Sequence, residues 1–232
     1  MSQPQKLANV LKSTRELLAK PIQPAKKVWA EDEIFAQIVS VGKQFKPEYE
    51  LQEQNRQALL NTAYYFLKDD RCQLDMRKGL MLMGMYGTGK TITMRIMQRW
   101  FINPFLISIC KNVIDDYQSG GQVPATYEHL GRFSFGADIH GKLDRNSPIA
   151  RLFDDLGDEQ LKHPFQDTRN VMAEILSARY DSFVYLPQQP MITHITTNLP
   201  MEKLTEIYGH RLTDRFVEMF NIIIFEGKSL RK

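Results

Sequence analysis

The run Gly84-Met85-Tyr86-Gly87-Thr88-Gly89-Lys90-Thr91 places glycines, a lysine and a hydroxyl at the spacing of a phosphate-binding loop. Glycines let the backbone curl until its N–H groups face phosphate oxygens, and the helix that follows adds its positive dipole end. Lys90 would reach the β- and γ-phosphates of a nucleotide, and the Thr91 hydroxyl would hold Mg²⁺. A glycine-rich turn without a ligand is the plain alternative. The flanks argue against it: Leu80-Met81-Leu82-Met83 reads as a buried strand, and Ile92, Met94, Ile96, Met97 and Trp100 recur at helical spacing.

Such a loop needs a second site to hold the metal and prepare water. Leu152-Phe153-Asp154-Asp155 ends a buried strand with two carboxylates, and the C-terminal strand ends are where ligands bind in open α/β sheets. Asp154 would bind Mg²⁺, and Asp155 would orient or activate the attacking water. A further strand ends in Thr196-Thr197-Asn198. In the expected sheet it lies between the phosphate-loop strand and the Asp154 strand, which brings the Asn198 amide near the terminal phosphate. His194, on the same strand, is read as packing.

The elements that position these groups follow from hydrophobic period. Helical patterns cover 53–68, 111–118, a turn or two over 125–130, a long segment after Asp167 as N-cap (Val171, Met172, Ile175, Leu176, Arg179, Phe183), and 210–219, with Pro200 opening a short helix. Strands are expected before the phosphate loop and at 105–109, 149–154, 191–196 and 222–225, with 131–148 irregular. Strands alternating with helices predict an α/β fold, a five-stranded parallel sheet covered on both faces. Leu7, Val10, Leu11, Thr14, Leu17 and Leu18 form an amphipathic face that Pro21 and Pro24 end. That helix either folds back on the domain or docks into a groove of another protein.

Composition narrows the class. A chain of 232 residues suits one α/β domain with an N-terminal extension, and Cys72 and Cys110 lack metal-type spacing and read as reduced thiols. The five histidines make no ligand pair. Neither a membrane span nor a signal peptide is expected, which suits the cytoplasm. Net charge is +3, yet residues 1–30 hold six Lys/Arg against one acid. The basic arm suits an anionic partner or serves as a solubilising tail.

Taken in order, the phosphate loop, Leu-Phe-Asp-Asp-Leu-Gly, Thr-Thr-Asn-Leu-Pro, Tyr208-Gly209-His210-Arg211-Leu212-Thr213-Asp214-Arg215 and Phe225-Glu226-Gly227-Lys228-Ser229-Leu230-Arg231 resemble the DnaC/IstB-like AAA+ ATPases, the bacterial replicative helicase loaders and transposase helpers. The resemblance covers about residues 46–232, and Asn55-Arg56-Gln57-Ala58-Leu59 looks like the helix before the loaders' phosphate loop. It implies a P-loop NTPase (AAA+) α/β/α domain over 46–232 with no C-terminal lid domain; residues 1–45, read above as a basic amphipathic helix and linker, fall outside the resemblance. It implies ATP and Mg²⁺ as cofactors, with Gly84, Met85, Tyr86, Gly87, Thr88, Gly89, Lys90 and Thr91 on the phosphates. Asn198 takes the sensor 1 role and Arg231 the sensor 2 role. Arg215 takes the arginine-finger role on a neighbouring subunit of an ATP-bound homo-oligomer, with Arg211 as its competitor. Asp155 stands where efficient relatives carry glutamate, which implies slow hydrolysis. The implied partners are single-stranded DNA and a replicative helicase; the rival is a transposition helper that binds duplex DNA and a transposase. A nucleotide-gated binding module with negligible hydrolysis is the third reading. Phe133, Phe135, Lys142 and Arg145 either contact a single strand or form an ordinary loop.

Overall fold

A computed structural model describes residues 27–101, 105–120, 136–137, 143–144, 150–159, 170–185 and 192–227. The chain divides into two units, Met1–Ala30 and Glu31–Lys232. In the first, the Lys27 ammonium lies 3.6 Å from the Trp29 ring centroid. The expected N-terminal helix over Leu7–Leu18 and the turns at 125–130 lie outside the described residues.

The second unit begins with α1 (Glu31–Phe45), followed by a short 3-10 turn (Glu53–Asn55) and α2 (Arg56–Leu67). Then come β1 (Gly79–Met83), α3 (Lys90–Trp100), β2 (Phe105–Ile109) and α4 (Cys110–Gly120). Two two-residue strands, β3 (Gly136–Ala137) and β4 (Leu143–Asp144), pair antiparallel within the segment expected to be irregular. They are followed by β5 (Ala150–Leu156), α5 (Val171–Tyr185), β6 (Thr193–Thr197), α6 (Met201–Tyr208), α7 (His210–Met219) and β7 (Phe220–Ile224).

The main sheet has five parallel strands in the order β2-β5-β6-β1-β7. The fourth strand of this sheet in chain order, β6, does lie between β1 and β5, as expected. Every residue of β1 is buried, the pattern of a central parallel strand covered on both faces. Met81, Met83, Phe153 and Ile195 pack on one face with Val171, Met172, Ile175 and Leu176 of α5 and Leu212 and Phe216 of α7. On the other face His194 sits among the rings of Tyr65, Phe66 and Phe105. Its Nδ1 accepts the Leu80 N–H at 3.0 Å, and burial drives its pKa down to about 3, so it is a neutral packing group.

Three local outcomes differ from expectation. Helix α1 falls inside the stretch 1–45 that sequence assigned to an arm and linker. It has acids Glu31, Asp32 and Glu33 in its first turn and buries Ile34, Phe35, Ile38 and Val41, spaced to form one face. It packs on α3, so the compact unit starts at Glu31 rather than at residue 46. At the start of α5 the Asn170 Oδ1 accepts the Ala173 N–H at 3.0 Å, which makes Asn170 the cap; Asp167 lies outside the described residues. β7 runs from Phe220, two residues before the expected start, because α7 ends at Met219 with no intervening loop.

Candidate nucleotide-binding site

The loop between β1 and α3 depends on two backbone conformations that L side chains avoid. Gly84 has φ +147°, and a Cβ there would lie 2.0 Å from the Phe225 carbonyl oxygen. Gly89, at φ +99°, caps the N-terminus of α3. The loop is also tied from below: the Phe225 N–H donates to the Met83 carbonyl at 2.7 Å.

Strand β5 supplies the carboxylates through an irregularity. Phe153 pairs with Ile195 and Leu156 with Thr197, so Asp154 and Asp155 together oppose the single residue Thr196. This is the residue count of a β-bulge, a device that re-aims side chains beside functional sites. Asp155 takes φ +60°, a left-handed conformation that Asp tolerates better than most residues. Its N–H, freed from the ladder, donates to Thr196 Oγ1 at 2.9 Å. Beyond the bulge Thr197 Oγ1 donates to the Leu156 carbonyl at 2.7 Å and restores the pairing.

The result is a connected polar site. Thr91 Oγ1 and Thr196 Oγ1 both donate to Asp154 Oδ1, at 2.9 and 2.5 Å. Lys90 Nζ donates to the Gly84 and Met85 carbonyls and to Asn198 Oδ1, each at 2.8 Å. Asn198 Nδ2 in turn donates to Asp155 Oδ1 at 3.2 Å. Lys90 and Asp154 are only 4% and 3% exposed. Burial, and then the neighbouring Asp154 charge, raise the Asp155 pKa from its ordinary value. A carboxylate with elevated basicity, beside a lysine and an amide, is suited to orient water and accept its proton.

Lys90, Thr91, Asp155 and Asn198 line an open cleft of about 980 Å³, together with Phe45, Lys46, Tyr49, Ile92 and Arg95. That is ample for a nucleotide. The donors also fit Mg²⁺: the Thr91 hydroxyl and the Asp154 carboxylate converge within 2.9 Å as hard oxygen ligands. No group of three or more metal-type side chains occurs among the described residues, so a bound Mg²⁺ would complete its shell with phosphate and water oxygens.

The structure therefore brings Lys90, Thr91, Asp154, Asp155 and Asn198 together. Arg215 is not among the cleft residues. It is half-buried on α7, its guanidinium carbon 4.3 Å from the Tyr180 ring centroid, while Arg211 is exposed. Arg231, Phe133, Phe135, Lys142 and Arg145 lie outside the described residues.

Sequence reasoning missed two supports. Asn55 is 2% exposed and hydrogen-bonds to the Thr88 carbonyl (3.3 Å), the Glu226 carbonyl (3.0 Å) and the Glu226 N–H (2.8 Å). It thus ties the phosphate loop to the segment after β7. The only sequence signal was a polar residue heading an apolar helix, which reads as a cap. Glu159 is 2% exposed; its carboxylate accepts the Gly157 N–H at 2.8 Å and the Tyr208 hydroxyl, and burial raises its pKa. It ties the turn after the Asp pair to the end of α6. Nothing local marked it, because Tyr208 is remote in sequence.

Among the described residues no helix is long and apolar enough to cross a membrane, and both cysteines are free. No protein-family model and no curated protein matches the chain. Solved structures do. The crystal structure of the DnaC helicase loader is 19% identical, covers 78% of this chain and 95% of its own, and gives a TM-score of 0.51. DnaI is 19% identical over 80% of this chain and 89% of its own, at 0.50. A proposed primosome component from Streptococcus pyogenes serotype M3 is 14% identical over 84% and 98%, at 0.52. With its phosphate loop at the head of α3 and its sheet order, the chain shares the α/β fold of these solved structures, a five-stranded parallel sheet with helices.

Proposed function

We propose that this chain binds and hydrolyses ATP and acts on DNA as a loader of a replicative helicase. One observation supports the ATP chemistry: hydrogen bonds run from Lys90 through Asn198 to Asp155, beside the bonded pair Thr91 and Asp154. Lys90 exchanges its loop carbonyls for phosphate oxygens. Asp155 orients water, with Asn198 fixing its carboxylate. Thr91 and Asp154 hold Mg²⁺, which when bound neutralises charge on the phosphates. Arg215 completes the site of a neighbouring subunit, and Arg231 contacts the nucleotide in its own. The fold shared with DnaC and DnaI supports the loader role.

The test is turnover of ATP by the full chain alone, with single-stranded DNA, and with a replicative helicase, alongside capture of that helicase. Slow basal turnover that rises with DNA, and helicase retained in the ATP state, are expected. Turnover indifferent to DNA and no helicase retained would overturn the loader reading. The short side chain of Asp155, where efficient relatives carry glutamate, favours one second reading, a nucleotide-gated binding module. Single-turnover assays that return only intact ATP would establish it.

A further inference from the structure

The face of α7 that carries Arg215 is joined to α5 by one aromatic side chain. Tyr180, half-buried on α5, lies with its ring under the Arg215 guanidinium at 4.3 Å. Its hydroxyl donates to Glu218 Oε2 at 2.8 Å. Arg215 and Glu218 are three residues apart on α7, so they are neighbours on one helix face. The Tyr180 ring is therefore gripped at both ends by the same helix face, its hydroxyl by the acid and its π face by the cation. Its base packs against the core shared by α5 and α7.

This arrangement has a geometric consequence. A guanidinium held over the π face of a ring commits no N–H donor to an acceptor oxygen. A salt bridge to a carboxylate would consume those donors instead. A long arginine side chain free in water samples many rotamers, and one held on a ring presents its fork from a narrower set.

We propose that Tyr180, tethered by Glu218, is a positioning residue that holds Arg215 ready to reach the nucleotide of the neighbouring subunit. The proposal rests on the reading of Arg215 as an arginine finger. It also separates Arg215 from Arg211, which is exposed. The defect caused by losing Tyr180 acts in trans: the variant subunit keeps a sound ATP site and delivers a poor finger to the next one.

The experiment uses the full chain with Tyr180→Leu, which keeps apolar bulk and removes the π face, and Tyr180→Phe, which keeps the ring and removes the tether. Arg215→Ala and Lys90→Ala are the references. For Tyr180→Leu the assembled protein should lose about tenfold in kcat, with KM for ATP and the thermal unfolding midpoint near wild type. Tyr180→Phe should lose less, because the ring is retained. Mixing is decisive: Lys90→Ala subunits, with Tyr180 and Arg215 intact, should restore turnover at the sites of Tyr180→Leu subunits, which a merely structural defect would not allow. If Arg215→Ala is inactive while Tyr180→Leu turns over at the wild-type rate, the positioning role is overturned and the finger stands. If Tyr180→Leu is slow but mixing gives no rescue, the positioning role is likewise overturned. If Arg215→Ala turns over at the wild-type rate, the finger assignment itself falls, and the positioning role with it.

Discussion

The Lys90 ammonium donates to the Asn198 carboxamide oxygen at 2.8 Å, and this bond ties the phosphate loop after β1 to the end of β6. Asn198 passes the tie on to Asp155. A change at any one of the three therefore bears on the other two.

Lys90→Ala should abolish ATP binding, a loss of at least about 100-fold in affinity, while the protein stays folded. Lys90 itself lines the open cleft, so water can take the place of its ammonium at the Gly84 and Met85 carbonyls. Calorimetry with ATP and Mg²⁺, paired with a thermal melt, checks both halves. Unchanged affinity would refute the assignment of the site.

Asp155→Asn should keep ATP binding and lose turnover, about 10²-fold or more, since only the water-orienting carboxylate is removed. The wild-type rate should fall in acid as the Asp155 carboxylate takes up a proton, and the variant should lack that acid limb. Stability should move the other way. A carboxyl whose folded pKa is raised is destabilising while ionised, so the variant should melt higher than wild type at neutral pH and lose that advantage in acid. Asparagine also tolerates the left-handed conformation found at this position. Melts at several pH values, beside rate profiles, test this pairing.

His194 makes the fold acid-sensitive. Its pKa falls from 6.5 to about 3 because burial opposes its charged form. The stability of the neutral imidazole is fully present above pH 6.5 and declines below it, by about 1.4 kcal/mol per pH unit. His194→Phe should flatten that slope. At neutral pH it should cost about 1–3 kcal/mol, because the buried Leu80 N–H loses its acceptor. Urea unfolding at pH 7 and pH 5 measures both effects.

Asn55→Ala should destabilise the protein by about 2–4 kcal/mol, since the Glu226 N–H and the Thr88 and Glu226 carbonyls lose their shared partner. ATP affinity should weaken with it, because the phosphate loop loses its anchor at Thr88. A stable variant with full ATP affinity would show that the loop holds its shape without this anchor.

The phosphate loop was legible in the sequence because its chemistry is local: eight consecutive residues carry the backbone turn, the lysine and the hydroxyl. The Asp pair and Thr196–Asn198 were legible for a related reason, since a buried strand that ends in polar residues delivers them to one edge of the sheet. The alternation of strands and helices was enough to establish the parallel sheet. Helix α1 could also have been found, from the acids in its first turn and the spacing of Ile34, Phe35, Ile38 and Val41.

Tertiary structure alone decided the rest. Asp154 and Asp155 enter the site through a bulge that exists only against Thr196, more than forty residues away in sequence. Asn55 becomes an anchor only when the chain after β7 arrives beside the phosphate loop. Arg215 meets the ring of Tyr180 only because another helix brings it there, while Arg211 is exposed. In each case the deciding contact joins residues far apart along the chain, and residue types and short-range spacing carry no information about which distant groups will meet.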